Sequence, residues 1–488
     1  MIDRDGLEAY LRQSEGEMPP VFKGRQDILT TLRECGESMR WVIEEPGDTK
    51  PQVLLQGIPK TTQIVQGAPG AGKSSLLAKL QEDCHRTGSK DAPRVVIVSS
   101  QSVAGSLPQV LKLIRAAGQL SSSKWQKILA RIGFNLSVNS LGEISAELGW
   151  GRSNTEVLPT LDHLAEEFPR QKWTSPVIIA VDESQRLSGD DVTPHAQFLQ
   201  SIHDASAGLP LTLVLAGLSD TKDTAIRLGM IRGLATHNIH CLNKTECAEL
   251  MVEFCQKFVV DVDGYETLLH DLAKPTEGWP RHLHFTFKAL VKEILRTEGK
   301  VSDINWNHVN AVSAHGRVSY YQHQQSAILR ALKPLIGEVM QDLKKGDSFK
   351  ILTDRIRRSV TRDMLDDLPD DMHNIQFLPR QLVAEMIHQG ALQEYEPDRF
   401  FSPIPSFRTF LIKEGILDPT NRLPPRRPFK LYCGTRLVAE EANFASYAAA
   451  RSWALKKMKH LGNAEEVSLW YGDINLKTEY NFEKLASE

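Results

Sequence analysis

Cysteine is scarce in this 488-residue chain. There are six, Cys35, Cys84, Cys241, Cys247, Cys255 and Cys433, with no C-x-x-C pair and no Cys/His grouping at zinc-finger spacing. That argues against a disulfide framework or a zinc finger and points to a reduced, cytoplasmic setting. Long apolar runs are missing as well. The most apolar stretches, PVIIAV at 176–181 and LPLTLVLAGL at 209–218, fall well short of the ~20 residues that span a bilayer, so no membrane association is expected. The opening MIDRDGLEAYLRQ is acidic and amphipathic, unlike a secretory signal. Neither sign of charge dominates: 58 Lys+Arg against 61 Asp+Glu leave a net charge of −3. No whole-surface field therefore draws polyanions, and nucleic-acid contact would need a local patch.

What is present is ordinary globular composition, 41% hydrophobic and 24% charged, with length for about three domains. After an N-terminal helix (1–20), a helix with Ile28, Leu29 and Leu32 on one face leads into alternating strands and helices. The strand candidates are QIVQG (63–67), RVVIVSS (94–100), VIIAVDE (177–183), LTLVLAG (211–217) and NIHCL (238–242). Continuous β-branched runs separated by helix-length segments imply a parallel sheet covered on both faces, a three-layer α/β core over 21–243. About 75 residues between the second and third strands, including NLSVNSLGEISAELGWGRSN (135–154), read as an exposed insertion. Four helical patterns follow over 244–316. Residues 317–420 read as helices ending in a short β-ribbon, a winged-helix-like domain. The Pro- and Arg-rich NRLPPRRPFK (421–430) reads as a linker, and 431–488 as a small α+β unit.

The chemistry concentrates in four places. Gly67-Ala68-Pro69-Gly70-Ala71-Gly72-Lys73-Ser74, followed by Ser75, fits G-x-x-x-x-G-K-[ST] between a strand and a helix. Its glycines let backbone N–H groups wrap phosphates, Lys73 reaches the β/γ-phosphates, and the Ser74 hydroxyl ligates Mg²⁺. About 110 residues on, a buried strand ends in Asp182 and Glu183, an acid to hold the Mg²⁺ shell and an acid to orient or deprotonate water. The fourth strand runs into Ser219 and Asp220, where a polar side chain can sense the γ-phosphate from between the two motifs or simply cap the next helix. Arg227 and Arg232 follow at the end of the core, where an arginine either reaches a neighbouring subunit's nucleotide or is simply solvated. Finally Gly278-Trp279-Pro280-Arg281 starts an amphipathic helix, bringing Arg281 to the nucleotide from above.

Together, FKGRQDIL, GAPGAGKSS, VDESQRL, AGLSDT with its paired arginines, and GWPRHL over residues 20–315 resemble the AAA+ ATPases. Within them they are most similar to origin-recognition initiators, transposition ATPases and related STAND switches. The resemblance implies a helical lid over 244–316, ATP and Mg²⁺ as ligands, Lys73 and Ser74 as the Walker A pair, Asp182 and Glu183 as the Walker B pair, and Arg281 as the second sensor. It also implies a homo-oligomer. Asn, common at the first sensor, is absent.

Two basic segments are candidates for duplex DNA. KILTDRIRRSVTR (350–362) is followed at once by DMLDDLPDD. Residues 421–460 hold nine Lys/Arg against two Glu, with Tyr447 and Trp453, a composition that suits nucleic acid. The two functional expectations are an ATPase controlling assembly on DNA, of the kind used in transposition or replication, and a STAND-like oligomeric sensor in anti-phage defence that acts through a protein partner.

Overall fold

The structure is a computed structural model. It describes residues 2–13, 18–38, 40–43, 53–56, 62–86, 92–120, 124–125, 175–187, 193–204, 210–324, 333–341, 343, 346–359, 378–396, 398–404, 407, 410–411, 429–433, 436–441, 453–454, 456–457, 467–471 and 474–479. These fall into two compact units, Met1–Arg317 and Val318–Glu488.

In the first unit, helices α1 (Arg4–Arg12) and α2 (Gln26–Glu37) precede an antiparallel ribbon, β1 (Arg40–Ile43) and β2 (Val53–Gln56). The central sheet comprises β3 (Thr62–Gln66), β4 (Arg94–Ser99), β5 (Val177–Asp182), β6 (Leu211–Gly217) and β7 (Leu234–Asn238), all parallel, in the order β4-β5-β6-β3-β7. The intervening helices are α3 (Lys73–Arg86), α4 (Ser100–Gly105), α5 (Leu107–Gln119), α6 (Pro194–His203) and α7 (Thr221–Arg227). Alternation along the strands decides the layers. Ile179, Val181, Leu213 and Leu215 join α5, α6 and α7 in one core cluster. On the opposite face Gly36 of α2 abuts Ile178, and Gln81 of α3 donates to the Val95 carbonyl at 2.8 Å. The three-layer expectation is met. The ribbon β1–β2 was not foreseen, because its eight residues fall outside any alternating run long enough to read.

One strand lies elsewhere than expected. NIHCL (238–242) is the exit from the sheet, and the strand is the preceding LATHN, in register with β3 from Thr62↔Leu234 to Gln66↔Asn238. As an edge strand, β7 is only half-buried and so lacks the apolar run that marks a central strand. Of the 75-residue insertion, α4 and α5 open it, and the segment 135–154 lies outside the described residues.

Four helices follow the sheet: α8 (Lys244–Lys257), α9 (Glu266–Ala273), α10 (Pro280–Arg296) and α11 (Trp306–Gln324). A full capping box starts α8: Glu246 N–H donates to Asn243 Oδ1 at 2.9 Å, and Asn243 N–H to Glu246 Oε2 at 2.7 Å, a reciprocal pairing that satisfies two orphan donors. Pro280, at the first position of α10, lacks the N–H that would go unused there. The N-terminal helix α1, expected to stand apart as 1–20, shares this core: Leu7 and Tyr10 pack with Phe254, Phe258 and Leu290. The Tyr10 ring meets Phe254 edge-on at 5.1 Å, and its hydroxyl bonds His284 Nδ1 at 2.9 Å.

The second unit begins within α11. It holds α12 (Lys333–Gln341), α13 (Phe349–Ser359), α14 (Leu378–His388) and the ribbon β8 (Gln393–Glu396) with β9 (Arg399–Phe401), to which Asp347 adds a single bridge at Phe400. It also holds an antiparallel sheet of β10 (Phe429–Cys433), β11 (Arg436–Glu441), β12 (Val467–Tyr471) and β13 (Ile474–Glu479), ordered β11-β10-β12-β13. Its first strand takes up the last two residues of the expected 421–430 linker; the rest of that linker, and Tyr447, lie outside the described residues.

Candidate nucleotide site

The site forms where β3, β5 and β6 end together. β6 lies between β3 and β5, so Ser219 stands between the phosphate loop and the acidic pair, as the sequence suggested. Gly70 and Gly72 take φ of 80° and 90°, the left-handed region that side chains disfavour. Gly67 is held by proximity instead: a Cβ there would sit 3.2 Å from the Ile239 carbonyl oxygen. The loop thereby turns directly into α3.

Lys73 folds back across the loop, its ammonium donating to the carbonyls of Gly67 (2.7 Å) and Ala68 (3.1 Å). Burial lowers its pKa from 10.5 to about 8; Asp182 and Glu183 oppose that shift, and Arg25 adds to it. The Ser74 hydroxyl donates to Asp182 Oδ2 at 2.6 Å, joining residues 108 positions apart. The other oxygen of Asp182 accepts from the Glu183 N–H at 2.9 Å. Glu183 itself has φ 55°, a left-handed conformation for a residue with a Cβ, of the kind that persists where the surroundings over-determine it. Its carboxylate lies outward, 2.9 Å from Arg186.

Gln185 ties the acidic turn to β6: its Oε1 accepts from the Leu218 N–H at 3.2 Å. A Cβ on Gly217 would lie 2.5 Å from that oxygen and 2.3 Å from Thr221 Oγ1, so only glycine lets the two strand ends close. The Ser219 hydroxyl is buried with no hydrogen-bond partner among the described residues. Asp220 occupies the N-cap of α7, yet its side chain makes no capping bond.

From the lid, the Arg281 N–H donates to the Gly70 carbonyl at 3.2 Å, and Pro280 lies 3.7 Å from where a Gly72 Cβ would be. The Arg281 guanidinium stacks over the Phe285 ring at 5.0 Å. Arg227 and Arg232 are exposed. Arg227 donates to Thr224 Oγ1 at 2.9 Å, and among the described residues neither arginine contacts the phosphate loop. Ala68, Pro69, Ala71 and Ser75 take their expected places in the loop and the first turn of α3.

Sequence reasoning did not single out Arg25. It sits at the N-cap of α2 with φ 61° and sends its guanidinium into the phosphate loop, donating to Ala71 O at 2.7 Å and His240 O at 3.2 Å. Burial lowers its pKa from 12.5 to about 10. The signal was present in FKGRQDIL, but only the fold shows that this arginine reaches residue 71.

The residues suit a magnesium nucleotide. Two cations, both destabilised by burial, surround a loop with glycine-enabled turns, so the cradle favours an anion. A hydroxyl and a carboxylate meet as hard oxygen donors, and an orphaned hydroxyl stands between them and the loop's strand.

The expected basic face at 350–362 is neutralised at two of its arginines. Arg355 is buried and pairs with Asp347 at 2.8 Å, and Arg357 pairs with Asp354 at 3.1 Å. Lys350 is exposed, and Arg362 lies outside the described residues.

No protein-family profile matches the chain, and no curated protein matches it. Solved structures do. The ORC2 protein of Aeropyrum pernix in its ADP form is 11% identical, with a TM-score of 0.46 over 84% of this chain and 97% of that one. Cdc6p of Pyrobaculum aerophilum is 15% identical, with 0.39 over 84% and 98%. The RuvB Holliday junction branch migration motor of Thermotoga maritima is 14% identical, with 0.36 over 80% and 96%. At these scores the assignment rests on the chain's own residues. A phosphate loop, an acidic strand end two strands away, a polar strand end between them and a helical domain touching the loop together make a P-loop α/β fold.

Proposed function

We propose that the protein is an AAA+ ATPase that hydrolyses ATP with Mg²⁺ and uses the nucleotide to set the posture of its lid. The observation that carries this is the 2.6 Å bond from Ser74 to Asp182, which joins the two motifs that would hold the metal across the end of the intervening strand β6. Lys73 releases the Gly67 and Ala68 carbonyls and binds the β/γ-phosphates. Ser74 and Asp182 hold Mg²⁺, which when bound neutralises phosphate charge. Glu183 leaves Arg186, turns inward and takes the proton of the attacking water. Ser219 donates its unused hydroxyl to the γ-phosphate, and Arg281, on a helix already bonded to Gly70, moves the lid as that phosphate is lost. Arg227 faces outward, as a finger toward a second copy would.

The order of helix, bridge strand, two helices and ribbon in α12 to β9 supports a winged helix, and DNA is the partner we assign to the assembly. The second reading, a STAND-like sensor with a protein partner, is favoured by one feature: α13 spends two arginines on internal pairs, and the ribbon carries Glu394, Glu396 and Asp398, all exposed, which repel a phosphate backbone.

Lys73→Ala should abolish ATP binding. Glu183→Gln should bind ATP and lose at least about a hundredfold in turnover, the scale of a general base. Normal hydrolysis by Lys73→Ala overturns the assignment. ATPase rate and particle size measured with and without duplex DNA at low salt decide between the partners: indifference to DNA removes the first reading and leaves the second.

A further inference from the structure

The sheet ends at β7, with no further strand on its outer side among the described residues. Two bonds orient its backbone: Thr62 N–H donates to Gly233 C=O and Ile239 N–H to Gln66 C=O, each at 2.8 Å. In a parallel pair, alternate residues turn both backbone groups to the same neighbour. Gly233, Ala235, His237 and Ile239 therefore serve β3, while Leu234, Thr236 and Asn238 turn N–H and C=O outward. Among the described residues those outward groups meet no hydrogen-bond partner.

Such an edge is a template for another strand unless it is blunted. β7 carries no Lys, no Pro and no bulge. The opposite edge strand, β4, is buried along five of its six residues, whereas Thr236 is exposed. Just ahead of β7, Ile231 is 74% exposed and Ile226 43%. Beside them Arg227 and Arg232 are exposed and make no ion pair among the described residues. An open row of backbone groups thus lies next to apolar surface and two exposed arginines that form no ion pair among the described residues.

We propose that β7 is the docking edge for an extended acidic peptide segment of a partner protein. The segment adds as a sixth strand, its backbone pairs with Leu234, Thr236 and Asn238, an apolar side chain covers Ile231, and a carboxylate meets Arg232. Main-chain bonds supply affinity in this mode and side-chain pockets supply selectivity. The proposal does not depend on ATP hydrolysis.

The test is hydrogen exchange of the 233–240 segment in the full chain. The probe is a ten-residue synthetic peptide of alternating valine and threonine flanked by paired glutamates, with a lysine-flanked version alongside. Millimolar glutamate peptide should slow the outward amides about tenfold or more, and the lysine version should not. Thr236→Pro removes only an outward donor and leaves every β3 bond in place, so it should abolish the slowing while melting and ATPase rate stay as before. Thr236→Lys, an edge-blocking charge, serves should the proline variant misfold. Four results overturn the proposal: no slowing at saturation, equal slowing by the lysine peptide, protection already complete in the free chain, or protection that grows with protein concentration alone, which would mean a second copy fills the edge.

Discussion

Raising the pH should weaken ATP binding and stabilise the empty protein at the same time, because both effects follow from Lys73. Its ammonium has a pKa of about 8 among its protein neighbours against 10.5 in an unfolded chain. The pocket bears the cost of a buried cation that phosphate would offset. If only the protonated form binds phosphate, affinity falls by a factor of 1 + 10^(pH − 8). Between pH 7 and 9 that is about tenfold, or about 1.4 kcal/mol. Stability runs the other way. The folded pKa lies below the unfolded one, so between pH 8 and 10.5 the unfolded chain binds more protons and stability rises with pH, at up to about 1.4 kcal/mol per pH unit. Titration calorimetry in two buffers of different ionisation enthalpy reads the coupling directly: ATP binding at pH 8 should take up about half a proton, and at pH 7 almost none from this group. An affinity flat from pH 7 to 9.5, with no proton uptake, would refute the reasoning by showing that Lys73 keeps an ordinary pKa.

Three further outcomes follow from particular contacts. Arg25→Ala removes a part-buried, charge-assisted bond to Ala71 O, worth about 1.5–3 kcal/mol; equilibrium binding should show a roughly 10- to 100-fold loss of ATP affinity that Arg25→Lys does not fully restore. Gly278→Ala sets a Cβ 2.0 Å from the Leu242 carbonyl oxygen at φ +76°. The chain must shift where core meets lid, and calorimetry should show a loss of more than about 2 kcal/mol. Val259, with φ 58° and 61% exposed, closes α8 in the conformation that glycine favours. Val259→Gly relieves about 1–2 kcal/mol of strain against a backbone entropy cost of about 0.5–1 kcal/mol, so Tm should rise by about 2 °C with ATPase rate unchanged.

Helix α10 carries two histidines, His282 and His284, that the fold keeps neutral. Burial lowers His282 to about 3, with Arg317 adding to the effect, and lowers His284 to about 4, with Lys288 and Arg281 adding. Both remain uncharged at neutral pH, so His284 can share its hydrogen bond with Tyr10 without bringing charge into the lid core.

Local chemistry was legible in the residues themselves. Glycines where φ must be positive, a lysine and serine closing the loop, and an apolar run ending in two acids each state their role over a few residues, because backbone sterics and buried-strand hydrophobicity act locally. From these the α/β class, four of the five sheet strands and the loop could be read in advance. Distance in sequence hid the rest. Ser74 and Asp182 bond only because β6 lies between their strands and aligns all three ends. Arg25 reaches Ala71 only because α2 packs on the sheet, and α1 completes a lid whose other helices begin more than 230 residues later. β7 escaped because an edge strand needs no apolar run, and the Asp347 partner of Arg355 in α13 is set by packing rather than by composition. Sequence alone determined which groups can meet phosphate and metal; burial, strand order and long-range pairing, settled by the whole chain folding at once, decided which of them do.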